Sequence, residues 1–115
     1  MTDPIASARA SMVRGPCTVW VVEWLQSTGA TAPAPTIRDM IRDWRSLGVE
    51  GACRKWCARL GLTPCASTVG CVALVAQDGK APILGVMAED DLFIARSFSR
   101  ILICRDPQII EAWHV

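Results

Sequence analysis

The sequence predicts an α+β domain, N-terminal helices packed on a C-terminal antiparallel β-meander, and three observations lead there. Apolar residues recur at helical spacing as far as Leu60, the period shortens to two after Gly70, and turn signals separate the later apolar runs. Helices followed by hairpin-linked strands give helices on one face of a sheet. At 115 residues the chain is one domain, hiding roughly two-thirds of the surface its unfolded chain exposes, enough for a core without metal or disulfides.

Residues 1–13 are small, polar and weakly patterned, an N-terminal arm or short helix that needs a surface to lie on; residues 14–115 are the single domain. Cys17 to Thr28 reads as the first helix of that domain, with Val21, Trp24, Leu25 and Thr28 at helical spacing from Cys17 and Gly29 as its stop. "ATAPAP" follows as a stiff linker, because its prolines fix the backbone and remove donors. A second helix opens at Thr36, where T-x-x-D approaches a capping box, aligns Ile37, Met40, Ile41 and Trp44, and stops at Gly48. A third, from Glu50 to Leu60, buries Ala52, Trp56 and Leu60 and ends at Gly61. Strands are expected at "CVALV" and "APILGVM", joined through the Asp78-Gly79 hairpin signal, then at "LFIAR" after "AEDD" and "RILIC" after "SFS". Asp106-Pro107 reads as a short helical turn, and "AWHV" as a closing strand-like segment.

Charge and hydropathy exclude several classes. With 12 Lys+Arg against 11 Asp+Glu there is no basic field to gather phosphates, so nucleic acid is not an expected partner. Runs such as "VWVV" and "ILIC" fall far short of the ~20 residues of a membrane-spanning helix, and the N-terminus lacks the pattern of a secretory signal. The six cysteines therefore read as thiols of a reducing cytoplasm. Cys53, Cys57, Cys65 and Cys71 are spaced C-x3-C and C-x5-C without the tight C-x2-C knuckle of structural zinc, and the sole histidine, His114, is remote in sequence. Core packing explains them equally well, and no metal or other cofactor is expected.

The chemistry-bearing feature is "RGPCTVWVVEWLQSTG", a cysteine at the start of an apolar helix. A free thiol is only a few per cent thiolate at neutral pH, and cysteine hydrolases pair it with an imidazole that also protonates the leaving group. His114 is the imidazole the sequence offers, so Cys17 with His114 is the candidate catalytic pair, and its test is whether the two meet.

"GPCTVWVVEWLQSTG", "GCVALV", "ILGVM" and "EAWHV" together resemble a family of small phage and prophage proteins from tail regions, related to the papain-like NlpC-type cell-wall cysteine peptidases. The resemblance spans about residues 15–115 and implies a papain-like fold with Cys17 at the nucleophile position. It also implies what is missing: the peptidases' general-base histidine falls on Ile83, the Asp before the nucleophile on Pro16, and the Asp of the first strand on Cys71. A vestigial Cys17 and a non-catalytic structural subunit of a phage or phage-like virion, at the tail tip or baseplate, are then expected. Such a subunit is made in the bacterial host cytoplasm and held among other virion proteins in a large hetero-assembly. The alternative is an active thiol hydrolase, a peptidoglycan peptidase using Cys17 with His114.

Of the five tryptophans, Trp44 and Trp56 recur at helical spacing and read as core. Trp20 and Trp24 sit in a helix apolar nearly all round, more than one sheet covers, and are the expected protein interface. Arg38, Arg42 and Arg45 share the face opposite the apolar one, a solvated face by default and an acidic partner's site second.

Overall fold

The computed structural model describes residues 3–12, 15–29 and 36–115, apart from the side chain of Ile37. The linker expected at residues 30–35 lies outside them. The described residues form an α+β domain of three helices followed by a six-stranded antiparallel sheet.

Helix α1 (Pro4–Ala10) is capped by Asp3, whose Oδ1 accepts from the Ile5 N–H at 3.0 Å. The surface it needs belongs to the same domain: Ala8 is buried in the core, and Arg96 on the fourth strand donates to the Ala8 carbonyl at 3.0 Å. Helix α2 (Cys17–Ser27) begins directly behind Pro16, which has no N–H to satisfy, and ends at Thr28 and the left-handed Gly29.

The segment Ile37–Arg59 (α3) is two helical arms joined at Gly48, whose φ 74 and ψ 172 are not helical, a conformation that glycine adopts without a Cβ penalty. The predicted stop at Gly48 is thus a sharp kink. Its size shows in the ion pair between Lys55 Nζ and Asp43 Oδ1 at 2.9 Å, since a straight helix would hold positions twelve apart at about 18 Å. The two arms fold toward each other around a buried carboxylate.

Lys55, hydrogen-bonded to Asp43, holds that carboxyl below its ordinary value against the opposing effect of burial, with the charges of Lys55 and Arg42 helping. A carboxyl that ionises more easily folded than unfolded stabilises the fold fully above its unfolded value of about 3.9, and that contribution is lost as pH falls through the lower folded value. Asp43→Asn is therefore expected to lower Tm at neutral pH, with the gap to the parent closing as pH drops below about 4. Thermal melts across that range check it; a gap independent of pH would assign the loss to packing.

The strands are β1 (Thr63–Cys65), β2 (Val72–Gln77), β3 (Lys80–Glu89), β4 (Leu92–Ser97), β5 (Arg100–Arg105) and β6 (Ile109–His114), in the order β1-β6-β2-β3-β4-β5. β2 to β5 are the predicted meander. Two expectations are corrected. Residues 106–108 form no helical turn: Asp106 adopts φ 51, its N–H donates to the Asp91 carbonyl at 2.7 Å, and Pro107 leads straight into β6. The closing strand is longer than "AWHV" and internal to the sheet, between β2 and the short β1. In a flat sheet β5 and β6 would stand four spacings, about 19 Å, apart, yet the steps from Arg105 to Ile109 reach about 14 Å at most. The sheet must therefore coil. Val72–Val75, Ile83–Met87 and Leu92–Ala95 are buried without alternation, so both faces of the central strands are covered. α1 and α2 lie against β3 and β4, and α3 contacts β3.

Candidate functional site: a buried thiol pair beneath a cleft

The first turn of a helix leaves backbone N–H groups without intrahelical partners, and Pro16 offers α2 no side-chain cap. Cys17 is the first residue of that turn, and from the sheet the Leu84 N–H donates to its Sγ at 3.4 Å. Cys17 and Cys53 both belong to the main core cluster, and each shifts the ionisation of the other.

Within this pair Cys17 is the member whose anion is favoured. The Cys53 thiol lowers its pKa most, burial opposes, and the Leu84, Thr18 and Cys17 N–H groups add to the lowering. Cys53 is raised, first by the Cys17 thiol and then by burial and the charges of Cys17 and Cys57. Cys57, one turn further along α3, is pushed up to about 12 by burial, with smaller contributions from Glu111 and Cys17.

Cys17 is 2% exposed and lies at the floor of a cleft of about 280 Å³ that Trp44, Lys80, Ile83, Ser97 and Phe98 also line. The cleft walls are held by the Phe98 N–H donating to the Gly15 carbonyl and by the edge-to-face pair of Trp44 and Phe98, centroids 6.4 Å apart. Ile83, where the peptidase resemblance expects the base, lines the same cleft as Cys17. Among the described lining residues there is no His, Asp or Glu.

His114 is elsewhere. It pairs with Thr63 at the sheet edge and lines a hollow with Trp24, Thr28, Val69, Gly70 and Val115, at the C-terminal end of α2, whereas Cys17 is its first residue. Eleven helical steps separate Cys17 from Thr28 by about 16 Å. The expected Cys17–His114 pair does not form, because strand β6 runs antiparallel to β2 and carries its last residues to the end of the sheet away from Leu84. No family model, no curated protein and no solved structure matches this chain.

The interface expected at Trp20 and Trp24 is also corrected. Trp20 is 0% and Trp24 1% exposed, since α2 is enclosed by α1, α3, β3 and β4 rather than lying on a single sheet. An all-round apolar helix here is a central helix. Large apolar residues are exposed elsewhere, among them Phe98 beside β5, Ile101 and Ile103 on β5, and Ile110 on β6.

The four clustered cysteines separate in space. Cys53 and Cys57 are in the core, Cys71 is buried near Ser67, and Cys65 is exposed on β1; no group of three potential ligands gathers among the described residues. No helix of the described residues is long and apolar enough to cross a membrane. Arg54 binds Glu111 on β6 at 2.9 Å and Glu50 at 3.3 Å, Arg59 lies over the Trp56 ring, and Arg38, Arg42 and Arg45 line an open groove.

The residue that sequence reasoning missed is Cys53. Its helical position relative to Cys57 is legible, but nothing in the spacing couples it to Cys17, 36 positions earlier in the chain. The Leu84 amide and the cleft wall at Ser97 and Phe98 carry no sequence signal either.

Proposed function

We propose that the chain is a non-catalytic structural subunit of a phage or phage-like particle, at the tail tip or baseplate, built on a degenerate NlpC-like, papain-like scaffold. The observation that carries the non-catalytic half is the cleft over Cys17, which holds an isoleucine where the base is expected and, among its described lining residues, no His, Asp or Glu to take and return the proton of a hydrolytic cycle. Ile83 standing beside Cys17 in one cleft supports the scaffold reading, because the resemblance expects the base at that position. The virion half rests on the tail-region resemblance. It is supported by the exposed Phe98, Ile101 and Ile103 at and beside edge strand β5, since apolar groups and an unpaired strand edge favour assembly over a solitary existence.

Incubated with peptidoglycan-derived peptides, the purified chain is expected to release no product above a Cys17→Ala control, and mass spectrometry of gradient-purified particles is expected to find it at fixed stoichiometry with other tail proteins. A monomer that cleaves those peptides, with activity lost in Cys17→Ala, overturns the proposal. So does its absence from particles.

A further inference from the structure

The two edges of the sheet are built differently. β1 has three residues, one of them Pro64, and a short edge that carries proline is a poor template for a further strand. β5 has six residues without proline or lysine. It pairs with β4 from Leu92↔Arg105 to Ser97↔Arg100 without the register shifts that the β2–β3 and β3–β4 pairings carry. The sheet ends at β5, and Ile101 and Ile103 there are 38% and 44% exposed. We infer that β5 pairs antiparallel with β5 of a second copy of this chain about a two-fold axis at Ile103, joining two six-stranded sheets into one.

Backbone direction and charge set that register. The two-residue turn Phe98-Ser99 is closed by a hydrogen-bonded pair, Ser97 with Arg100, and bonded and non-bonded pairs then alternate along an antiparallel ladder. Arg100, Leu102 and Cys104 thus turn their N–H and C=O groups toward β4, as does Asp106, whose N–H donates to the Asp91 carbonyl at 2.7 Å. Ile101, Ile103 and Arg105 turn theirs outward. A second copy presents the same outward residues, so all of them are bonded at once only when Ile103 faces Ile103 and Ile101 faces Arg105. The near-palindrome Arg-Ile-Leu-Ile-Cys-Arg suggests another register, Arg100 opposite Arg105, and that one fails twice. It sets outward groups against inward ones, and it brings like charges together. With the axis at Ile103, Arg100 instead stands opposite Asp106 of the second copy, at both ends of the pair. Arg105 is already held by Asp91 at 2.8 Å, whereas Arg100 and Asp106 form no salt bridge among the described residues. Opposite charges on facing strands stabilise a pairing, so the edge is complementary to itself. Ile103 meets its counterpart and leaves water.

In sedimentation velocity the purified full chain is expected to move from the 12.5 kDa of one chain to twice that mass as its concentration rises, since one strand pair is a small interface. Ile103→Pro removes an outward N–H that β4 does not use, a position where an edge strand accepts proline; it is expected to keep the parent's Tm and to stay monomeric. Arg100→Glu and Asp106→Arg change exposed side chains and do not rely on the proline variant folding. Each alone is expected to raise the dimer dissociation constant about tenfold, because two attractive pairs become repulsive. An equimolar mixture of the two is expected to return to the parent's value, because every facing pair is again of opposite sign. A chain that stays monomeric at every concentration assigns the edge to a strand of another protein and overturns the proposal. A dimer that survives Ile103→Pro comes from another surface, and single charge variants that associate as the parent does reject the register; either overturns it as well. The purified chain decides this without particles, so its failure is separate from that of the virion reading.

Discussion

Trp20→Ala is expected to lower the stability of the domain by about 4 kcal/mol and Tm by about 15 °C. The side chain is fully buried among α1, α2 and the sheet, so truncation removes apolar contact on every side and leaves a cavity that neighbouring helices cannot collapse into without shifting together. Its Nε1 also donates to Ser7 Oγ at 3.3 Å, a polar tie between α2 and α1. Trp20→Phe separates the two effects, losing the hydrogen bond and part of the volume for about 1–2 kcal/mol. Trp24 offers the contrast: its buried Nε1 has no hydrogen-bond partner, so Trp24→Phe removes an unsatisfied donor along with volume and is expected to cost less than Trp20→Phe. Melts followed by circular dichroism check all three. A Trp20→Ala protein with an unchanged Tm would return Trp20 to the surface and restore the interface expectation.

The second large effect is expected at Gly85, where alanine costs about 3 kcal/mol. A Cβ there would stand 2.3 Å from the Ile94 carbonyl oxygen and 2.6 and 2.8 Å from Phe93 ring atoms. The ring is able to turn away, but the carbonyl is part of the neighbouring strand and moves only with it. Phe93→Leu is therefore expected not to rescue Gly85→Ala, and the two losses should come close to adding. Full rescue would place the clash at the ring alone and show that β4 yields. The next residue but one before Gly85 is Ile83 and the next before is Leu84, the amide on Cys17, so the close approach of β3 and β4 at Gly85 holds the wall of the thiol site. Gly85→Ala is accordingly expected to loosen the Cys17 environment as well as the fold.

These two positions also show how far the sequence could be followed. Gly85 is visible only as a glycine inside the expected strand "APILGVM", and its purpose is a distance to a neighbouring strand that the sequence does not contain. Trp20 was legible as part of a helix apolar on all sides, but an exposed apolar helix and an enclosed one have the same pattern, and only the packing of α1 and α3 around it separates the two. The helix starts at Cys17 and Thr36, the break at Gly48 and the hairpin at Asp78-Gly79 were all readable, because each is set by local backbone chemistry: a missing N–H, a capping oxygen or a glycine with positive φ. The short β1 and the entry of the last strand between β1 and β2 were not, since three exposed residues and a chain crossing carry no periodic signal.

By itself, then, the sequence determined the α+β class, the order of the helices and of the meander strands β2 to β5, and the cysteine at the head of a helix, all consequences of spacing and turn chemistry within a few residues. The tertiary structure alone decided that the Leu84 amide meets Cys17, that His114 lies at the far end of α2, and that Trp20 and Trp24 face inward. Those are contacts between residues tens of positions apart, fixed by how α1, α3 and the strands β3 and β4 pack around α2.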